Sequence, residues 1–165
     1  MLICPQEVSV SEIEKKNSLS ARNYSKVDIP NSKRKPLVSF LDSENPYVIG
    51  EEPGSIAYVP RSTVQFIRNS CIDQQNFSNQ TAKEICLNPT YNYESALTSG
   101  DVLLCKDANI GDACIFLPAE SNKTYVFSSG VVKLNFRTDL ERYYCFAFLR
   151  DEYFHQQLDS LTPSG

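Results

Sequence analysis

The sequence has little of what metal and nucleotide chemistry needs. Its single histidine, His155, cannot build a histidine-rich zinc site, and none of its cysteines forms a Cys-x-x-Cys pair. The six glycines are scattered, and none precedes a Lys-Ser or Lys-Thr pair, so a glycine-rich phosphate loop is absent. We therefore expect neither a metal site nor a cofactor.

Long apolar runs are also missing. The longest one covers residues 143–149, whereas a membrane-spanning helix needs about 18 apolar residues. The first five residues are too short for the apolar core of a secretory signal, and no targeting segment is visible. With 165 residues, of which 41% are hydrophobic, the chain is large enough for one domain with its own core. We expect no membrane span.

Charge divides the chain into two parts. Residues 1–36 carry seven Lys and Arg against four acids, a net charge of +3, and the remainder carries 9 against 16, a net charge of −7. The first part has few large apolar residues, which predicts a basic N-terminal tail, disordered or extended, that orders only on a partner. The sequence thus predicts a tail over 1–36 and a single globular domain over 37–165. Because an acidic body repels phosphate, we expect no nucleic acid on the folded body.

From Leu37 onward, short runs of Val, Ile, Tyr and Phe alternate with Pro, Gly, Asn and Ser. Runs of this length and composition predict strands. The eight runs cover residues 37–41, 47–49, 56–59, 63–68, 101–106, 113–117, 124–127 and 131–137. No helix of crossover length alternates with them, so we predict an all-β fold, mainly an antiparallel sandwich or Greek-key barrel, with one or two short helices.

Two segments carry the spacing of a helical capping box, in which Thr and Glu side chains bond to each other's free backbone amides. Thr81 and Glu84 predict a short helix over about 82–87. Thr138 and Glu141 repeat the signature, but the apolar residues that follow fit both a helix and a strand. We favour a strand over 142–149 and a helical turn over about 151–160, because Tyr, Cys and Phe dominate the first half.

The cysteines and glycosylation sequons favour an oxidising compartment. Six cysteines are an even and unusually large number for this length, and four Asn-x-Ser/Thr sequons accompany them. Cys105 and Cys114 close the same predicted hairpin, which predicts a disulfide, and Cys71 with Cys86 is the next pair. We therefore expect an extracellular or cell-surface location, with a cytoplasmic chain of free thiols as the alternative.

Residues 104–114 predict a hairpin, since a polar stretch with Asp, Asn and Gly joins two strand-like runs. Together with the strand-like runs around it, from residue 100 to residue 137, the segment resembles the βγ-crystallin superfamily, whose Greek-key motif opens with a folded hairpin. The resemblance covers residues 100–137 and implies a Greek-key β fold; some small secreted members of that superfamily inhibit proteases. Residues 128–133 lack the calcium signature of the superfamily, so no calcium site is implied.

Three tyrosines are candidate binding residues. Tyr91 and Tyr93 alternate in a polar, proline-containing loop, where tyrosine gives contact area at low entropic cost. Tyr47 lies beside several carboxylates, a combination used in sugar-binding sites. Anchoring of these loops to the core, and simple solvation of the charges, are the alternatives.

Catalytic groups are sparse. Cys145 and His155 could serve as nucleophile and base, but a Tyr- and Phe-rich surrounding favours a core thiol, and we expect no enzyme. The sequence therefore favours a non-enzymatic binding or inhibitory β-sandwich module that presents loops to a protein or glycan partner. The alternative is a structural subunit of a larger homo- or hetero-oligomeric assembly, whose N-terminal tail packs on a neighbouring subunit.

Overall fold

The computed structural model describes residues 34–74, 85–89 and 95–161. Of these, Pro36–Arg150 form one compact unit, which we call the first unit, and residues 151–161 belong to a second one. The predicted N-terminal tail lies almost entirely outside the described residues. The prediction of a tail over 1–36 therefore stays a prediction.

Short strands dominate the first unit. They are β1 (Tyr47–Ile49), β2 (Tyr58–Val59), β3 (Val64–Ile67), β4 (Ile85–Leu87), β5 (Val102–Cys105), β6 (Ala113–Ile115), β7 (Thr124–Phe127) and β8 (Val131–Leu134). They form two four-stranded sheets, a first sheet with the order β1-β8-β5-β6 and a second with the order β2-β4-β3-β7. All strand pairs are antiparallel except β3 with β7, which is parallel.

Two α-helices follow the strands: α1 (Asp139–Leu149) in the first unit and α2 (Glu152–Leu161) in the second. The prediction of a mainly β fold with short helices is confirmed. In α2, His155 is buried, and its ring stands edge-on to the Phe154 ring at a centroid distance of 5.5 Å. No helix in the described parts of the chain is both long and apolar enough to cross a membrane.

Three local predictions are wrong. Residues 37–40 form a 3₁₀ helix after Pro36 instead of a strand, and residues 142–149 lie in α1. Ile85–Leu87 form β4, not the end of a helix, because these residues pair with β2 on one side and β3 on the other. Long-range pairing overrides the local capping signal there.

Thr138 begins α1 as its capping signature predicts. Its Oγ1 accepts a hydrogen bond from the amide of Glu141 at 3.2 Å, which satisfies one of the free amides of the first turn. Cys145, Phe146 and Leu149 form the buried face of the helix. The acidic residues Asp139 and Glu141 lie in the first turn, where the helix dipole favours them.

Both sheets contribute to the main core. Its members from the first sheet and its loops include Leu103, Cys105, Cys114, Phe116 and Val131, and those from the second sheet are Ile67, Tyr125 and Phe127. The opposite face of the first sheet is also apolar, since Val102, Ala113 and Leu134 are buried there. Buried apolar residues therefore lie on both faces of the first sheet.

Candidate functional site

The second sheet carries an exposed polar surface at the end where its two parallel strands begin. Because β3 and β7 run in the same direction, the loops that precede them lie side by side. We call the residues of this surface the polar rim; they are Arg61, Ser62, Thr63, Asn88, Ser121, Asn122, Lys123 and Thr124. Six of the eight are exposed, and Ser62 and Lys123 are partly buried.

Backbone hydrogen bonds fix the loops of the rim to the sheet. The amide of Thr124 donates to the carbonyl of Thr63 at 2.8 Å and ties the two loops to each other. The amide of Val64 donates to Ser62 Oγ at 3.1 Å, and the amide of Asn88 donates to the carbonyl of Ala57 at 2.9 Å. The rim side chains therefore project from an ordered scaffold.

The rim of the second sheet carries fewer acids than the opposite end of the two sheets, although Asp42, Glu44 and Asp101 in the loops of the first sheet lie at the rim's end. On the rim, Arg61 is exposed, and the Lys123 ammonium lies 2.5 Å from the Glu120 carboxylate. At the opposite end, which we call the acidic end, acids outnumber bases; its charged residues are Arg68, Lys106, Glu51, Glu52, Asp107 and Asp112. Lys106 there pairs with Asp107 at 2.8 Å. A phosphate group is therefore repelled less by the polar rim than by the acidic end.

The rim offers the donors that bind phosphate oxygens in nucleic acids. Hydroxyl groups, side-chain amides and an arginine guanidinium are the groups that most often make such contacts. The described residues contain no group of three or more His, Cys, Asp and Glu side chains arranged to hold a metal ion. The chemistry available at this surface is hydrogen bonding and charge pairing.

Sequence reasoning missed the polar rim. Residues 61–63 and 121–124 are similar, since each stretch holds a cation and several hydroxyl or amide side chains just before a strand. About 60 residues separate the two stretches, and only the parallel pairing of β3 with β7 brings them together. The net charge of the body conceals this local distribution.

The predicted binding tyrosines are only partly described. Tyr47 lies on β1 at the edge of the first sheet, opposite Leu134, and is 53% exposed. Tyr91 and Tyr93 lie outside the described residues. Carboxylates near Tyr47 hold loop backbone, since Asp42 Oδ1 accepts from the amides of Glu44 and Asn45 at 2.9 and 2.8 Å.

All five cysteines in the described ranges are free thiols, so the bridges predicted for Cys105 with Cys114 and for Cys71 with Cys86 are not formed. Leu103 is the residue opposite Cys114, and Cys105 is therefore its diagonal neighbour. Diagonal Cα atoms lie about 7 to 8 Å apart, beyond the roughly 4.4 to 6.8 Å that a disulfide spans. Cys86 Sγ instead accepts a hydrogen bond from Gln65 Nε2 at 3.2 Å.

Burial keeps these thiols neutral. It raises the pKa of Cys105 to about 12, helped by the neighbouring Asp112 and Cys71, and it raises the pKa of Cys114 to about 12, helped by Cys105 and Cys71. Burial also raises the pKa of Cys145, with a smaller contribution from Glu141. None of the three is activated as a nucleophile.

Comparison with known proteins finds likeness in fold alone. No protein-family model and no curated protein matches the sequence. The HsdS subunit from Thermoanaerobacter tengcongensis matches with a TM-score of 0.55 and 20% identity, over 84% of this chain and 32% of that one. A chain from a study of complex assembly and conformational transition of the type I R-M system matches with the same TM-score and identity, over 90% and 35%. The chain thus spans about a third of the length of these two structures.

These comparisons correct several predictions. The likeness to R-M (restriction-modification) subunits contradicts a module that presents loops to a protein or glycan partner, and it contradicts a folded body that does not bind nucleic acid. The prediction about nucleic acid rested on charge averaged over 129 residues, from 37 to 165, and such an average does not describe how charge is distributed over the surface. An extracellular location is contradicted as well, and its main support, paired cysteines, is missing from the described residues. Neither structure is a crystallin, so the resemblance of residues 100–137 gains no support.

Proposed function

We propose that this chain is a DNA-recognition subunit, or the DNA-recognition part of one, in an assembly of the type I restriction-modification kind. The observation that carries the proposal is the likeness in fold, at a TM-score of 0.55, to the HsdS subunit over 84% of this chain. HsdS subunits are the specificity subunits of such systems, and they recognise DNA without catalysing its cleavage or modification. This role agrees with the expectation that the chain is not an enzyme.

The polar rim is the DNA-contacting surface in this proposal. It combines Arg61 with hydroxyl and amide side chains on fixed loops, and it lies away from the acidic end. The predicted binding residues Tyr91 and Tyr93 lie three and five positions after Asn88 of the rim in the chain. Contacts from the rim to phosphates would set the position of the duplex, and base recognition would require further side chains that reach a groove.

We also propose a β-sandwich architecture and a cytoplasmic location for this chain. The common core of the two sheets supports a β-sandwich, because side chains from both sheets meet in one cluster. The free, buried thiols support a cytoplasmic location, the alternative that the sequence left open. Membership of an assembly is likewise proposed, and the N-terminal tail over 1–36 is one candidate for its contacts.

Selection from a randomised duplex pool tests the recognition function. The full chain is incubated with a pool of duplexes that carry a central randomised segment, bound duplexes are recovered, and the cycle is repeated with sequencing. A DNA-recognition subunit is expected to enrich a common sequence and to bind the enriched duplex more tightly than the starting pool. Retention of no duplex above a protein-free control at low salt would refute the proposal. Retention without any enrichment would reduce the function to sequence-independent binding and refute recognition.

A further inference from the structure

The helix α1 is apolar on two opposite faces. Cys145, Phe146 and Leu149 form its buried face. On the other side Leu140, Tyr143 and Tyr144 are 80%, 56% and 66% exposed, and Ala147 is exposed as well. These four occupy positions i, i+3, i+4 and i+7, which lie on one face of a helix. An amphipathic surface helix would place polar residues there.

The exposed apolar surface continues beyond the helix. The ring of Phe40, in the 3₁₀ helix over residues 37–40, lies 6.1 Å from the ring of Tyr144, and Val38 of the same helix is 63% exposed. Charged groups near the four exposed apolar residues of α1 already have partners, since Arg142 pairs with Asp139 at 2.9 Å and its guanidinium lies over the Tyr143 ring. We call Val38, Leu140, Tyr143, Tyr144 and Ala147 the α1 patch. Tyrosine-rich patches of low charge are typical of interface cores.

We propose that the α1 patch binds the same patch of a second copy of this chain, with the two α1 helices antiparallel about a two-fold axis. The exposed face of α1 is self-complementary in that arrangement. The axis passes near Tyr143 and Tyr144 and places Leu140 of each copy against Ala147 of the other. A large side chain thus meets a small one at both ends, and the tyrosines meet at the centre. Two-fold interfaces require this kind of self-complementarity.

The area of the patch suits a reversible dimer. From roughly 150 to 250 Å² for each tyrosine and about 100 Å² for leucine or valine, the exposed fractions of Val38, Leu140, Tyr143 and Tyr144 give about 330 to 450 Å² per copy. Two copies would bury about 650 to 900 Å², which is below the roughly 1,000 Å² of a stable interface and in the range of a weak, transient one. The dimer is therefore weak and forms at high protein concentration. It goes beyond DNA recognition and does not depend on it.

Analytical ultracentrifugation of the full chain tests the dimer between about 5 and about 500 μM, a range chosen for a weak interface of this area. The mass is expected to rise from 18.6 kDa towards twice that value. Each copy carries a net charge of −4, so salt screens the repulsion between copies. An apolar contact therefore persists in high salt, whereas a contact between opposite charges weakens. A mass of 18.6 kDa at every concentration would overturn the proposal.

Variants locate the interface. Leu140→Gln combined with Tyr143→Gln keeps helix-forming side chains and touches only exposed positions, and we expect it to raise the dissociation constant at least about tenfold. Ile56→Gln is the matched control, since Ile56 is 97% exposed and lies outside the patch. Association that is unchanged in the double variant would overturn the proposal.

Cross-linking tests the antiparallel arrangement in a Cys4→Ser background. A mixture of Leu140→Cys and Ala147→Cys chains is expected to form a mixed disulfide faster than either chain forms one with itself. Faster cross-linking of Leu140→Cys chains with each other would contradict the antiparallel pairing.

Discussion

Cys105 and Cys114 lie on neighbouring strands of one sheet and face the same core, but they are diagonal neighbours, because Leu103 is the residue opposite Cys114. The hairpin loop between them explains the offset. The amide of Cys105 donates to the carbonyl of Asp112 at 2.8 Å, and the turn contains Ala108 and Gly111 at φ values of 59° and 93°. This geometry predicts two separate thiols.

Alkylation of protein isolated without reductant checks the state of these thiols. After unfolding in the presence of an alkylating reagent, Cys105 and Cys114 are expected to be fully labelled, whereas the folded protein at pH 8 leaves both unlabelled because they are buried and neutral. Peptide mapping gives the labelled fraction of each site. A site that becomes labelled only after reduction would show a disulfide and contradict this account.

The raised pKa values predict a loss of stability in alkaline solution. The thiols of Cys105 and Cys114 titrate near 9.0 when unfolded and at about 12 when folded. Between those values the unfolded chain loses protons that the folded chain retains, so the free energy of unfolding falls as the pH rises through this range. The slope is about 1.4 kcal/mol per pH unit for each thiol. Urea unfolding from pH 7 to pH 10.5 measures it, and a Cys105→Ala, Cys114→Ala variant should show a shallower fall. If the free energy of unfolding falls equally steeply with pH in both proteins, the raised pKa values of Cys105 and Cys114 are refuted.

Gly130 and Asn69 predict an energetic coupling at the acidic end. A Cβ on Gly130 would lie 2.5 Å from Asn69 Oδ1, and the Asn69 amide is held by bonds to the carbonyl of Asp107 at 2.6 Å and to Ser128 Oγ at 3.2 Å. Gly130→Ala is therefore expected to reduce the free energy of unfolding by about 1 to 3 kcal/mol. In an Asn69→Ala background the same change should cost less. Equal costs in both backgrounds, measured by thermal or urea unfolding, would contradict the contact.

The cap of α1 predicts a modest stability change. Thr138→Ala removes the acceptor for the Glu141 amide and should cost about 1 kcal/mol, whereas Thr138→Ser keeps it and should cost much less. Chemical denaturation measures both variants. A Ser variant as destabilised as the Ala variant would show that the hydroxyl bond is not what matters.

Sequence patterns predicted most strands because each one carries β-branched or aromatic residues between turn residues. They failed at α1, where residues 143–149 are uniformly apolar. The reason is physical: Cys145, Phe146 and Leu149 are buried on one side of the helix, while Leu140, Tyr143 and Tyr144 remain exposed on the opposite side. A helix that is apolar on two faces has no period that distinguishes it from a buried strand.

The candidate site could not be predicted because it depends on pairing between distant segments. Arg61 and Lys123 lie in separate turns, and the pairing of Thr63 with Thr124 brings those turns together. The tyrosine prediction followed composition within single loops, which is the only information a local pattern contains. Tyr91 and Tyr93 lie outside the described residues, so that part stays a prediction.

The most direct test of DNA recognition by the polar rim compares two arginines that flank the same strand. Arg61 precedes β3 on the rim, and Arg68 follows β3 at the acidic end; both are exposed. Binding of the full chain to a fluorescently labelled duplex is measured by anisotropy at several salt concentrations. We expect Arg61→Gln to weaken binding and to reduce the slope of log K against log[salt] by about one, and Arg68→Gln to change neither. The account is contradicted if the unsubstituted chain binds no duplex, or if Arg61→Gln and Arg68→Gln reduce the duplex affinity equally.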